Sequence, residues 1–313
     1  MNPGRESSGA ADWMQAQGQI KVVKTSHAVP FSKGLLAQSL TATGLSPDRA
    51  HQVAMEVERN LRQSLIREIS IGDLRAMVGS VLEKEEGPRY YMRYEKWHEL
   101  AVEDRPVIIL IGGATGVGKS TVATQVAHTL GITRIISTDT VRQVMRAFFS
   151  SQLMPAIHYS SFDANQAIRI PLSPEQDPHV LGFVEQVEMV NVGITAVVER
   201  AVREGMGMVV EGVHVVPGFT AVALEGPALI LPMVVAVQDE ELHRSHFLIR
   251  EQQTDGRRPF QRYVANFEVI RRIQDYILDR AEAEGTMVIE NLNIDLAVTQ
   301  VVDSLYALIE GGV

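Results

Sequence analysis

The chain has 313 residues, of which 45% are hydrophobic and 21% are charged, a composition typical of a globular protein rather than a disordered one. At about 150 residues per domain, this length predicts two domains. The formal net charge is −9, which disfavours general nucleic-acid binding, because such proteins need surplus Lys and Arg to displace counterions. The absence of cysteine excludes disulfides, zinc ribbons, iron–sulfur clusters and thiol catalysis.

The sequence contains no apparent targeting or membrane segment. Residues 1–18 are polar, without the apolar core of a signal peptide, and are expected to form a flexible tail. The longest apolar run, residues 228–237, is interrupted by Pro232 and is too short to span a bilayer. We therefore expect a soluble, cytoplasmic protein without a membrane partner.

Residues 19–83 have the pattern of a small, mainly helical domain. A short strand is expected at residues 20–23, and Ser32 is positioned to cap a first helix. Pro47 opens a second helix, and a third is expected at residues 71–82. The apolar stripe of the second helix is predicted to consist of Ala50, Val53, Ala54, Val57 and Leu61. Residues 84–105, rich in charge and tyrosine, are expected to form a linker.

From Pro106 onwards, short apolar runs alternate with helical patterns, which predicts an α/β domain with a doubly wound parallel sheet over residues 106–313. The first run is apolar throughout, as in a parallel strand buried on both faces. Strands are expected at residues 107–111, 134–136, 208–210, 229–237 and 287–289. Helices are expected at residues 120–130, 140–149, 180–204, 240–250 and 266–284.

Residues 113–120 match the phosphate-loop pattern G-x-x-x-x-G-K-S in full, between an apolar strand and a helix. The alternative, a glycine-rich turn without a ligand, is less consistent with this context. Lys119 is expected to reach the β- and γ-phosphates of ATP, and Ser120 to bind Mg²⁺. Lys119 is also the only lysine after residue 100, where the other 15 basic residues are arginine. The predicted ATP-binding residues are Gly113, Ala114, Thr115, Gly116, Val117, Gly118, Lys119, Ser120 and Thr121.

Asp139, Arg142 and Arg146 follow the second strand at a spacing that places them on one helix face. A carboxylate beside two guanidinium groups suits an acceptor that carries a hydroxyl and an anionic group. Asp139 is expected to orient or deprotonate the hydroxyl, and the arginines to bind the anion in bidentate fashion. The alternative is that Asp139 caps the helix and both arginines are solvated.

A second carboxylate, Glu211, ends the third strand and is expected to order the Mg²⁺ shell; the alternative is a strand-end acid that faces water. His214 follows and is either an acceptor contact or a core histidine. Residues 149–182 occupy the place of an acceptor-binding insert, in which His158 is a predicted substrate contact, together with Tyr159, Ser160, Ser161 and Arg169.

Residues 250–262 carry four arginines with a glycine and a proline, which favours a mobile lid over an ordinary charged loop. Arg257 and Arg258 are the predicted catalytic arginines, with Arg250 and Arg262 as further candidates.

Four segments in this order resemble the 2-phosphoglycerate kinase family. They are residues 112–146, HYSSFDA (158–164), VVEGVHVVPG (209–218) and residues 250–263. Residues 22–58 are similar to the ATP-cone-like module that precedes the kinase domain in that family. The resemblance implies transfer of a phosphoryl group from ATP to 2-phosphoglycerate, giving 2,3-bisphosphoglycerate, with Mg²⁺. The opening of the module, residues 24–28, departs from the basic, glycine-containing opening of nucleotide-binding ATP-cones, which favours a structural role.

Two alternatives stay open at this point. One is a phosphate-loop kinase for another small anionic or polyol acceptor. The other is a nucleotide-sensing regulator, which the ATP-cone-like module suggests and which the lack of cysteine and the acidic charge disfavour. The sequence leaves the oligomeric state open.

Overall fold

The computed structural model describes residues 20–24, 27–103, 105–219, 228–253, 255–257 and 259–311. The predicted flexible tail, residues 1–18, lies outside these described residues. The chain divides into two compact units, Met1–Glu99 and Leu100–Val313.

The first unit combines helices with a small three-stranded sheet. Its strands are β1 (Lys21–Lys24), β2 (His27–Pro30) and β3 (Glu68–Ser70), and β1 lies between an antiparallel β2 and a parallel β3. Its helices are α1 (Lys33–Thr41), α2 (Pro47–Gln63), α3 (Ile71–Glu85) and α4 (Pro88–Val102), the last of which continues past Glu99.

The local signals of helix start in this unit are confirmed. The Ser32 hydroxyl accepts a hydrogen bond from the Leu35 N–H at 3.3 Å, and Ser46 caps α2 in the same way. The five predicted stripe residues of α2 are all buried. Strands β2 and β3 were not predicted, because each is only three or four residues long and β2 is largely exposed.

The prediction of a linker at residues 84–105 is wrong. Most of that segment is α4, in which Tyr94 is buried in the core of the first unit with Tyr90 packed against that core. Arg93 is also buried, and it donates a hydrogen bond to the Thr43 carbonyl at 3.1 Å. The helix was not predicted because the segment is rich in charged residues. Its contacts with the core come from tyrosines spaced four residues apart, which lie on one helix face.

The second unit is built on a five-stranded parallel sheet in the order β5-β6-β4-β7-β8, which confirms the predicted fold class. Strand β4 (Val107–Gly112) lies at the centre and is buried at all six positions. The other strands are β5 (Ile135–Ser137), β6 (Met208–Glu211), β7 (Leu229–Ala236) and β8 (Met287–Glu290). Because all strands run in the same direction, the segments that follow β4, β5 and β6 meet at one edge of the sheet.

The helices of this unit are α5 (Lys119–Leu130), α6 (Thr138–Phe148), α7 (Pro178–Arg203), α8 (Glu240–Gln253), α9 (Phe260–Ala265), α10 (Phe267–Ala283) and α11 (Ile294–Gly311). Two short 3₁₀ helices, Ala156–His158 and Ala164–Ala167, interrupt the segment between α6 and α7. Helix α11 was not predicted, although its buried residues recur at helical spacing.

Helix α7 is the one described helix that is long and apolar enough, by length and composition, to cross a membrane. Its buried stripe includes Phe183, Val187, Val190 and Ile194, and the last two belong to the core cluster that also contains Ile108 and Val210 of the sheet. These contacts are those of a core helix.

Two valines of α7 test this packing. Val190 is fully buried, whereas Val192 is 70% exposed. We expect Val190→Ala to lower the free energy of unfolding by about 2 kcal/mol, since it removes two buried methyl groups and leaves a cavity. The matched control Val192→Ala should leave stability unchanged or slightly raised, because alanine is the better helix former. Urea unfolding followed by circular dichroism measures the free energy of unfolding of both variants. Equal losses of stability would contradict the assignment of Val190 to the buried face of α7 and of Val192 to the exposed face.

Candidate active site

The phosphate loop connects the central strand β4 to α5. Gly113, Gly116 and Gly118 have φ angles of 134°, 92° and 87°, in the region that favours glycine. A Cβ atom at Gly113 would also collide with the backbone carbonyl of Val235 on β7. The two requirements explain why glycine stands at these positions of the loop.

Side chains from other elements hold three consecutive carbonyls of the loop. His243 Nε2 donates to the Thr115 carbonyl at 2.8 Å, and His246 Nδ1 donates to the Gly116 carbonyl at 2.9 Å. Asn291, after β8, donates from Nδ2 to the Val117 carbonyl at 2.9 Å. Fixing these carbonyls also fixes the peptide planes, so that the N–H groups of the loop are held in place for an anion.

None of these three residues was singled out from the sequence. His243 and His246 are one turn apart on α8, a spacing that gives no sign of the distant loop that they contact. His243 is fully buried, and burial lowers its pKa to about 4. The ring is therefore neutral at pH 7 and donates to Thr115 through Nε2.

Lys119 begins α5 and is buried, with its Nζ donating to the Ala114 carbonyl at 2.5 Å. Burial lowers the pKa of Lys119, and the charges of Glu211 and Asp139 act in the opposite direction. The two carboxylates are thus near enough to the ammonium to influence its charge.

The side chains of Ser120 and Glu211, the two residues expected to hold Mg²⁺, lie within hydrogen-bond distance of each other. The Ser120 hydroxyl donates to Glu211 Oε1 at 3.1 Å, and Glu211 is buried at the end of β6. A hydroxyl and a carboxylate are hard oxygen ligands of the kind that Mg²⁺ prefers. Among the residues that the structure describes, no group of three or more His, Asp or Glu side chains forms a larger metal site.

A cleft of about 1130 Å³ opens over the phosphate loop at this edge of the sheet. Of the predicted ATP-binding residues, those that line it are Thr115, Gly116, Gly118, Lys119, Ser120 and Thr121. The other three loop residues, Gly113, Ala114 and Val117, are buried and do not line the cleft. The lining also includes Asp139, Arg142 and residues 160–162, together with Asn291–Asp295 and parts of residues 246–263.

Asp139 lies in the first turn of α6 with a side chain that is 54% exposed. Partial burial raises its pKa, but the neighbouring His214, the charge and hydrogen bonds of Arg142 and the charge of Lys119 together hold the pKa below its ordinary value. The carboxylate is therefore ionised at pH 7 and able to accept a hydrogen bond from a hydroxyl.

Arg142 does not have the bidentate substrate-binding geometry that was predicted for it. Its Nε and Nη2 donate to Asp139 Oδ1 at 3.3 and 3.2 Å, and its Nη1 donates to the carbonyls of Ile157 and Tyr159 at 3.0 and 2.9 Å. These bonds use four of the five guanidinium N–H groups. Arg142 thus orients Asp139 and ties α6 to the following segment.

Two further predicted substrate contacts lie outside the cleft lining. Arg146 is exposed and donates to Gln143 Oε1 at 2.7 Å, because it lies one turn beyond the cleft. The His158 ring bonds through Nε2 to the Phe149 carbonyl at 2.9 Å. The predictions for both residues are wrong in this structure.

His214 is a core histidine, so the expected contact with an acceptor is wrong as well. It is fully buried, and burial lowers its pKa to about 3. Its Nε2 lies 3.0 Å from Gln186 Oε1, and its Nδ1 lies 2.8 Å from Thr138 Oγ1. Since the Gln186 oxygen only accepts, Nε2 carries the proton and Nδ1 accepts from the threonine hydroxyl.

Among the arginines of the predicted lid, Arg250 lies in α8, Arg257 lies between α8 and α9, and Arg262 lies in α9. Arg250, Arg257 and Arg262 line the cleft, whereas Arg258 lies outside the described residues. Arg262 donates to Ser160 Oγ at 2.6 Å and to Asp163 Oδ2 at 3.1 Å, which links the lid region to the segment before α7.

Comparisons with known proteins show the family of the chain. A "2-phosphoglycerate kinase" of Methanothermobacter thermautotrophicus is 41% identical over 292 residues, covering 93% of this chain and 94% of its own length. One of Methanopyrus kandleri is 40% identical, covering 91% of this chain and 86% of its own length. The chain belongs to the 2-phosphoglycerate kinase family.

Two other comparisons concern parts of the chain. Residues 20–100 match the ATP cone domain family, in agreement with the predicted N-terminal module. A solved shikimate kinase from Acinetobacter baumannii aligns with a TM-score of 0.37 at 18% identity, covering 68% of this chain and 97% of that one.

The buried imidazoles of His214 and His243 predict a loss of stability in mild acid. Their pKa values of about 3 and about 4 lie below the ordinary 6.5, so that the unfolded chain takes up protons that the folded chain does not. The free energy of unfolding should fall as the pH drops from 6.5 towards 4, by roughly 1.4 kcal/mol per pH unit for each histidine. Urea unfolding at a series of pH values measures this slope.

The variant His214→Gln keeps a hydrogen-bond donor but does not titrate. The slope of its free energy of unfolding against pH should therefore be smaller by the contribution of one histidine, about 1.4 kcal/mol per pH unit. The control His128→Gln, at an exposed position of α5, should keep the wild-type slope. A slope in His214→Gln equal to that of the wild type would contradict the burial of a neutral His214.

Proposed function

We propose that this protein transfers the γ-phosphoryl group of ATP to the 3-hydroxyl of 2-phosphoglycerate, giving 2,3-bisphosphoglycerate and ADP. The observation that carries the proposal is the presence of Asp139 in the same cleft as the phosphate loop, close enough to Lys119 for each charge to shift the pKa of the other. The activity named for the relatives supports this choice of acceptor.

On the donor side, the loop N–H groups and the α5 N-terminus bind the phosphates of ATP, with Lys119 at the β- and γ-phosphates. Ser120 and Glu211 are the residues that would hold Mg²⁺, since their oxygens already meet at 3.1 Å. When bound, the ion neutralises charge that develops on the phosphate oxygens.

On the acceptor side, the charge of the cleft suits a small polyanion. The net charge of the chain is −9, yet the basic residues that line the cleft, namely Lys119, Arg142, Arg250, Arg257 and Arg262, outnumber the acidic ones, namely Asp139, Glu211 and Asp295. Arg250, Arg257 and Arg262 also line the cleft, and we assign them as the candidates for the carboxylate and phosphate of the acceptor. Ser160 and Ser161 add hydroxyl donors.

The chemical step is an in-line displacement. The acceptor 3-oxygen forms a bond to the γ-phosphorus while the bond from that phosphorus to the β–γ bridging oxygen breaks, and ADP leaves. The hydroxyl proton passes to the Asp139 carboxylate. A carboxylate with a lowered pKa is a weak base, so Asp139 acts first by orienting the hydroxyl and takes the proton late. Arg257 and Arg258 neutralise charge on the transferring group.

The proposal assigns ATP and 2-phosphoglycerate as the small-molecule partners, without nucleic acid or membrane, and a location in the cytoplasm. The finding that the charge of the cleft differs in sign from that of the chain supports small anions over nucleic acid as ligands.

The variant Asp139→Asn tests the role of the carboxylate. We expect kcat with 2-phosphoglycerate to fall by about 10²–10⁴-fold, since a general base is lost, while KM for ATP stays within about twofold. The control Asp279→Asn, at an exposed position of α10, should match the wild type. Equal losses in kcat and in ATP affinity would show instead that Asp139 serves the nucleotide or the fold.

The acceptor is tested by incubating the wild-type enzyme with ATP, Mg²⁺ and either 2-phosphoglycerate, 3-phosphoglycerate, glycerate or a sugar. Phosphorus NMR should detect 2,3-bisphosphoglycerate with the first acceptor, at the highest kcat/KM of the set. No turnover of 2-phosphoglycerate would refute the proposed function, and preference for another acceptor would reassign it.

A further inference from the structure

Gln186 is a polar residue in the middle of the apolar stripe of α7. It is fully buried, between Phe183 and Val190 on the same helix. An amide removed from water is costly unless its donors and acceptor are bonded, so a buried glutamine indicates a specific set of partners.

Those partners come from the acceptor side of the cleft. Gln186 Nε2 donates to the Ala156 carbonyl at 2.5 Å and to the Tyr159 carbonyl at 3.1 Å. Its Oε1 accepts from His214 Nε2 at 3.0 Å, and His214 Nδ1 in turn accepts from the Thr138 hydroxyl at 2.8 Å. One amide thus connects α7 to the segment before Ser160, to the loop after β6 and to the first turn of α6.

Arg142 closes this set of contacts into a ring. Its Nη1 donates to the same Tyr159 carbonyl at 2.9 Å, and its Nη2 donates to Asp139 at 3.2 Å. Asp139 follows Thr138 directly in the chain, so the first turn of α6 is held at both residues. We call this set the acceptor ring, consisting of Thr138, Asp139, Arg142, Tyr159, Gln186 and His214.

We propose that Gln186 is a positioning residue for the acceptor, which fixes Asp139 through His214 and Thr138 and fixes residues 156–162 through the Ala156 and Tyr159 carbonyls. The proposal rests on the proposed function, since it assigns this side of the cleft to the phosphoryl acceptor. Gln186 itself is fully buried and is not among the residues that line the cleft, so we assign it no contact with either substrate.

The variant Gln186→Glu tests the proposal, because it keeps the acceptor toward His214 but turns an oxygen against the Ala156 and Tyr159 carbonyls. We expect KM for 2-phosphoglycerate to rise and kcat to fall, with kcat/KM lower by about 10–100-fold, while KM for ATP stays within about twofold. The matched control is Asn191→Asp on the same helix. Asn191 donates to the Phe219 carbonyl at 2.6 Å, and it does not line the cleft. This control should match the wild type.

A pH profile separates positioning from a general loss of fold. The pKa of a buried glutamic acid is raised, and its protonated form again donates to a carbonyl. The ratio of Gln186→Glu to wild-type turnover should therefore rise as the pH falls from 8 to 6. In the wild-type ring the pKa values of His214 and Asp139 lie below this range, so a change of the ratio within it reports the carboxyl group of the variant together with its partner His214. A ratio that does not change with pH would overturn the proposal.

Hydrogen–deuterium exchange tests the role of Gln186 without relying on the identity of the phosphoryl acceptor. In Gln186→Glu, exchange should increase at residues 156–162 and stay at the wild-type level at residues 113–121. This test holds even if the wild type does not phosphorylate 2-phosphoglycerate, which would refute the proposed function alone. Unchanged exchange at residues 156–162 would overturn the role of Gln186.

Thr138→Val provides a second route if Gln186→Glu fails to fold. This variant removes the hydroxyl that donates to His214, while the volume of the side chain stays nearly the same. It should lower kcat/KM for 2-phosphoglycerate in the same direction by a smaller factor, again with ATP binding intact. Wild-type kinetics in this variant would contradict the acceptor ring.

Discussion

The buried ammonium of Lys119 is the interaction on which the cleft depends. A cation removed from water is stable only when oxygens surround it, and here the Ala114 carbonyl bonds to it while Glu211 and Asp139 lie near it. The phosphates of ATP would supply further negative oxygens at the same point. Since the charges of Glu211 and Asp139 both act on the ammonium, Lys119 links the metal-binding pair to the acceptor carboxylate.

Rigid surroundings make this arrangement precise. The donor side is fixed because His243, His246 and Asn291 bond to three consecutive loop carbonyls. The acceptor side is fixed by the acceptor ring, whose members come from α6, α7 and the segments after α6 and β6. Phosphoryl transfer requires little covalent chemistry from a protein and much positioning, so buried polar side chains that fix the loop and the acceptor segment suit this reaction.

The contiguous parts of this site could be predicted from the sequence, and the parts assembled from distant segments could not. The phosphate loop is one unbroken pattern, Asp139 lies two residues after β5, and Glu211 is the last residue of the apolar strand β6. Arg142 and His214 were assigned to the substrate because their actual partners, at residues 157–159 and 186, lie far away in sequence. Gln186 resembles an interruption of an apolar stripe until its three contacts are known.

Separate titrations of ATP and 2-phosphoglycerate into Lys119→Met by calorimetry test the central claim most directly. Loss of the charged hydrogen-bond donor should weaken ATP binding by about 10–100-fold and abolish transfer, while 2-phosphoglycerate binds within about twofold of the wild type. Lys119→Arg should also fail to restore transfer, because the planar guanidinium does not fit the space of a compact ammonium. Wild-type ATP affinity in Lys119→Met would contradict the account.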